Sequence, residues 1–196
     1  MSDAPETVVR NAYRPDRDAV VDIAIDDGRI IAVQPAIPND GEGNLVSPGL
    51  IDARLHLDMA LSATGDRLLR NNEGWPGRID AIEKTAAYFD EVEADAIVAN
   101  VREVAEWAIS NGVLHLRTHA YVDSTVGTDV IEAVATARDA LDDWLDIEIV
   151  AFPQQGIRRD KGSEAALRGA LDVGADLVGG LDPATLNDDR EGTIDT

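Results

Sequence analysis

Leu45-Val-Ser-Pro-Gly-Leu-Ile-Asp-Ala-Arg-Leu-His-Leu-Asp58 is the stretch on which the fold of this chain turns. Pro48 and Gly49 break the preceding segment. Apolar Leu50, Ala53, Leu55 and Leu57 are then interleaved with Asp52, Arg54, His56 and Asp58. Successive strand residues face opposite ways, so the pattern predicts a strand with Arg54 and His56 on one face. An imidazole set between carboxylates on such a face is costly unless it is paired or used. Two histidines spaced two apart at a strand end are the usual opening half of a metal site, and here arginine fills one of the two positions. A guanidinium stays protonated and has no lone pair to give a metal.

Upstream, Thr7-Val-Val-Arg-Asn-Ala-Tyr13, Val20-Val-Asp-Ile-Ala-Ile25 and Ile30-Ile-Ala-Val33 read as short strands. Asp26-Asp-Gly-Arg29 between the last two is a hairpin turn signal. A polar connection over Pro35–Gly43 follows, with neither a helix pattern nor a Lys-Ser/Thr pair to make it a phosphate loop. Residues 1–47 are therefore expected to form a small β-sandwich-type module. Downstream, helical spacing covers Arg78–Phe89, Ala94–Ser110 (closed by Asn111-Gly112), Asp129–Leu141 and a segment from Ser163, the expected N-cap, to Val173. Between them lie strands over Val113–Val122, Ile147–Phe152 and Asp176–Leu181.

From residue 48 the order is thus β-α-β-α-β-α-β, which implies a parallel sheet with right-handed crossovers. His56, Asp58, His119, Asp123, Gln154 and Asp182 fall at or just past the carboxyl ends of these strands. In a (β/α)8 barrel that end carries the active site. The fold class expected is α/β: a partial (β/α)8 (TIM) barrel of about four units over residues 48–196, preceded by the β-module over 1–47. A closed barrel needs about 250 residues, and 149 (196 − 47) follow the module.

Composition narrows the function further. The net charge is −21, with 38 acidic residues and Lys84 and Lys161 as the sole lysines. Such a surface repels nucleic acid and anionic membranes. Dispersed acid and scarce lysine are expected of a protein adapted to concentrated salt. The absence of cysteine excludes disulfides and thiolate metal sites, including the zinc deaminases built on P-C-x-x-C. No apolar run approaches the roughly 20 residues that span a bilayer, so a cytoplasmic protein is expected.

Pro48-Gly-Leu-Ile-Asp-Ala-Arg-Leu-His-Leu-Asp58 after a β-module resembles the opening of the amidohydrolase superfamily, with its P-G-x-x-D-x-H-x-H pattern. Asn111-Gly-Val-Leu-His-Leu-Arg-Thr-His119, Ile149-Val-Ala-Phe-Pro-Gln-Gln-Gly156 and Gly174-Ala-Asp-Leu-Val-Gly-Gly180 resemble its cytosine deaminase branch. The resemblance covers the amino-terminal half of a full-length member. It implies a barrel holding one divalent metal, zinc or iron, that activates water to attack an amidine carbon and expel ammonia. It gives His56 to the metal and Gln154 to the edge of a nucleobase-like ring, whose donor and acceptor a primary amide matches. His119 is a second candidate pocket residue, and Arg54 occupies the other ligand position. The remaining metal ligands and the proton-shuttling glutamate belong to the second half, so no catalytic residue is expected on this chain.

The expected function is a metal-dependent deaminase acting on a ring C–N bond, in truncated form with an incomplete site. The alternative is an inactive half-barrel remnant or binding module that needs a partner chain, either a second copy or a complementary half-barrel. Plainer roles stand beside these. His56 pairs with Asp58, Arg54 forms an ion pair with Asp52 or Asp58, Gln154 is a turn residue, His115 is structural and Trp107 belongs to a helix core.

Overall fold

The computed structural model describes residues 5–36, 47–62 and 78–181, with side chains of the first helix from residue 81. The chain divides into two compact units, Met1–Pro48 and Gly49–Thr196. In the first, strands β1 (Thr7–Arg14), β2 (Ala19–Asp26) and β3 (Arg29–Pro35) form one antiparallel meander. Its second turn has Asp27 and Gly28 both at positive φ (49° and 66°), the two-residue geometry whose twist matches a hairpin. Between Val9 and Ala12 the register shifts, and the Asn11 N–H donates to the buried Asp22 carboxylate at 2.9 Å. Ala12, Val21 and Ile23 make the small core of this unit. The described residues of this unit form this single three-stranded sheet.

The second unit is a parallel sheet of β4 (Leu50–Leu55), β5 (Val113–Tyr121), β6 (Asp146–Phe152) and β7 (Leu177–Val178), in that order. The connections carry α1 (Arg78–Glu91), α2 (Ala94–Ser110), α3 (Asp129–Asp139) and α4 (Ser163–Asp172). This is the partial barrel of alternating β/α units. Ile97, Val101 and Ala105 recur at helical spacing along α2 and are buried, as are Val130, Ile131 and Val134 on α3. They pack with Leu116 and Ala120 of β5 and Ile147, Ile149 and Ala151 of β6 in one core. Gly112, at φ 85°, lets the chain leave α2 for β5. Among the described residues no helix is long and apolar enough to cross a membrane.

Alternation along β5 gives its two faces different lives. Leu116, Thr118 and Ala120 are buried, while His115 and Arg117 are exposed on the other face. There His115 Nδ1 meets Asp146 Oδ2 at 3.0 Å and Arg117 pairs with Glu148, each with its register partner on β6.

Four expectations need correction. Gly162, not Ser163, is the N-cap of α4, and Ser163 Oγ donates instead to Asp160 at 2.6 Å. The fourth strand shrinks to Leu177–Val178, because Gly179 and Gly180 offer no side chains to pack in a strand. Trp107 is 52% exposed and lies outside the helix core, since the α2 stripe is filled by smaller residues. Arg54 forms no ion pair with Asp52 or Asp58. The first accepts from the Arg54 backbone N–H at 3.2 Å, and the second is engaged elsewhere. Asp182 lies outside the described residues.

Candidate functional site

β4 stops at Leu55, one residue before His56, and a 3-10 turn over Leu57–Met59 follows. That turn is anchored from β5 at two points. The Leu57 N–H donates to Thr118 Oγ1 at 2.9 Å, and the Tyr121 N–H donates to Asp58 Oδ2 at 2.9 Å. Leu57, Asp58 and Thr118 are all fully buried, so these bonds are made out of water, where losing one is costly. The other Asp58 oxygen lies 3.3 Å from His56 Nδ1. A carboxylate on Nδ1 fixes the ring and turns Nε2 outward, the arrangement that orients ligand or proton-carrying histidines.

His119, on β5, brings its ring centroid to 5.2 Å from that of His56, with the planes 31° apart. Phe152, at the end of β6, meets both imidazoles at steep angles, 5.7 Å from His56 (71°) and 5.2 Å from His119 (89°). His119 Nδ1 is buried and has no hydrogen-bond partner among the described residues. Burial first, then the positive charges of His56 and Arg54, push the His119 pKa below its ordinary value, while the Leu55 backbone and Asp58 draw it up by less. Arg54 is exposed, and among the described residues its guanidinium has no hydrogen-bond or ion-pair partner.

Gln154 follows Pro153 in the turn after β6, and its Nε2 reaches Thr85 Oγ1 of α1 at 3.5 Å. It is half-buried. Asp123, at the end of β5, is a structural residue: it accepts from the N–H groups of Thr125 and Val126 and from the Tyr121 hydroxyl at 2.6 Å. Burial, followed by that bond, raises the Tyr121 pKa far above its ordinary value, so the phenol stays protonated. Sequence reasoning missed Phe152 as a wall of the site. Its signal lay in the strand register, because Tyr121 and Phe152 pair and β6 ends level with β5.

A catalytic zinc ion takes three protein ligands. Among the described residues no group of three or more His, Asp or Glu side chains could hold one. His56 is oriented as a ligand would be, but Arg54 brings a fixed positive charge to the neighbouring position. The described residues do not fit a metal centre. What they gather is an exposed guanidinium and two imidazoles beside an aromatic ring.

No family model matches the chain. Along its whole length it is 40% identical to the N-isopropylammelide isopropyl amidohydrolase of Pseudomonas sp. (strain ADP), covering 50% of that protein. The crystal structure of N-isopropylammelide isopropylaminohydrolase from Burkholderia multivorans ATCC 17616 superposes with a TM-score of 0.77 at 29% identity, over 96% of this chain and 48% of that one. The 5-methylcytosine deaminase of Klebsiella pneumoniae liganded with 5-fluorocytosine shares the fold at a TM-score of 0.76 and 22% identity, over 96% and 46%. The chain spans about half the length of the curated relatives it matches. With one amidohydrolase aligned along all of it, a second superposed on its β/α units and His56 at the end of the first parallel strand, the chain is similar along its whole length to one half of an amidohydrolase.

Proposed function

We propose that this chain forms the ring-binding wall of a cytoplasmic amidohydrolase-type deaminase, one that cleaves an exocyclic C–N bond on a cytosine- or ammelide-like ring. The 40% identity to an enzyme named for removing an isopropylamine group from such a ring carries this reading. The geometry supports it: His56, His119 and Phe152 converge at one end of the parallel sheet, where barrel enzymes keep their chemistry. In this reading Phe152 stacks on the ring, and the Gln154 amide pairs with its N–H and C=O edge after turning from Thr85. A divalent metal, zinc or iron, is the family's means of making hydroxide at neutral pH. The described residues offer it only His56, so the hydrolytic step draws on residues outside them.

The test supplies the carboxyl-terminal half of the Pseudomonas relative in trans. Isopropylamine release from N-isopropylammelide and ammonia release from cytosine are followed with zinc or ferrous ion present. The chain alone should release neither, and the pair should release one, with Gln154→Ala raising KM. Release by the chain alone would refute the shared site, and none from any pairing would refute the deaminase reading.

Arg54 favours a second reading, a binding module without chemistry that closes its sheet against a second copy or a complementary chain. Solution mass by light scattering tests the pairing, and a monomer at all concentrations would end it.

A further inference from the structure

The unpaired guanidinium of Arg54 is the feature the hydrolase reading leaves unused. Four other polar side chains of the same sheet are already engaged: His115 with Asp146 and Arg117 with Glu148. Asp58 divides its two oxygens between the Tyr121 N–H and His56. Asp52 turns Oδ1 to the Arg54 backbone N–H. The guanidinium is left, among the described residues, with five N–H donors and no acceptor. A second polar atom in the same corner is also unmet, the buried His119 Nδ1. A planar aromatic side chain, Phe152, stands edge-on to both imidazoles.

We propose that this corner is an anion site, and that it selects flat nitrogen heterocycles carrying negative charge on one edge, as a ring carboxylate or a deprotonated imide. The proposal rests on the ring-binding reading above and adds the charge of the ring. A guanidinium grips a carboxylate or an imide edge with two parallel N–H donors, which a point charge does not. The His56 and His119 rings lie 5.2 Å apart beside it, and the carboxylate on His56 Nδ1 leaves Nε2 to meet a second polar edge of the same ring. The substitution that removes a metal ligand thus changes the sign of what the site attracts. In a chain of net charge −21, the unpaired arginine is a fixed positive charge to which a small anion is drawn.

Titration calorimetry on the full chain tests this, with orotate as the charged ring, uracil as the neutral ring and acetate as charge without a ring. Orotate should bind, and uracil and acetate should bind at least about tenfold more weakly. Arg54→Gln, which keeps length and loses charge, should weaken orotate about ten- to hundredfold, the range for a hydrogen bond to a charged group. It should leave uracil unchanged and the thermal melt intact, because Arg54 is exposed. Arg54→His, which removes the fixed guanidinium charge, should lose orotate. Equal binding of orotate and uracil would overturn the charge selectivity while leaving ring binding standing. Binding of neither ring would overturn both. Full orotate affinity in Arg54→Gln, or tight zinc uptake by the unsubstituted chain, would overturn the assignment to Arg54.

Discussion

Replacing Asp58 measures how firmly the site is built. The carboxylate is 2% exposed and holds the turn after β4 against β5 through the Tyr121 N–H at 2.9 Å. A hydrogen bond to a charged acceptor contributes about 1.5–3 kcal/mol, and a buried N–H left unmet costs about 1–3 kcal/mol. Removing the carboxylate also relieves the cost of burying it, which offsets part of that sum. Asp58→Ala should therefore cost about 2–3 kcal/mol, out of the roughly 5–15 kcal/mol that holds a domain together. At about 2–4 °C per kcal/mol, the melting midpoint should fall by about 5–10 °C. Asp58→Asn keeps an amide oxygen for the Tyr121 N–H and loses the charge, so it should cost about 1 kcal/mol. Urea unfolding with an unchanged m-value reads both numbers. The imidazole proton shift of His56 should move in both variants, because its Nδ1 partner is altered at 3.3 Å. An alanine variant within about 0.5 kcal/mol of the parent, the range of an indifferent surface change, would refute the view that this carboxylate holds the site together.

Three further outcomes are expected. Gly162→Ala should destabilise by about 1–3 kcal/mol, because its Cβ would lie 2.5 Å from Ser124 Cβ and 3.4 Å from the Ser124 backbone; a neutral result in thermal melts would show that the two loops separate freely. Burial alone would raise the Asp160 pKa, but hydrogen bonds from Ser124 Oγ, Ser163 Oγ and the Ser124 N–H outweigh it and hold the carboxyl below its ordinary value. That stability is full above the ordinary carboxylate pKa and lost as pH falls through the lower folded value, so the gap between parent and Asp160→Asn should narrow under acid; a gap constant with pH would contradict it. Finally, with net charge −21, thermal stability should rise between 0.1 and 1 M potassium chloride as the screening length falls from about 10 to about 3 Å, and a flat profile would reject adaptation to salt.

The sheet and its helices were legible because each element is written in a short-range code. The helix expected over Ala94–Ser110 is α2 to the residue, since Ile97, Val101 and Ala105 mark one face and Asn111-Gly112 closes it. The end of α4 was misread because Ser163 suits an N-cap by type, and only the fold brings Asp160 within its reach. The site was half legible. His56 and His119 announce themselves at strand ends, but their approach to 5.2 Å and the part of Phe152 depend on how three strands align. The freedom of Arg54 was invisible to sequence for the same reason: two aspartates within four residues look like partners until their oxygens are seen in use.

The paired charges of β5 and β6 set a rule for hydration. His115 with Asp146 and Arg117 with Glu148 stand on the side of the sheet away from the core. Drying the Arg117 and Glu148 ions costs several kcal/mol each even after they attract one another. Any polypeptide that curls around to enclose this side must either bring polar groups to it or leave a water-filled lumen. Floor and mouth of such an enclosure would then stay wet together, and a small charged solute could reach the sheet without first shedding its own shell.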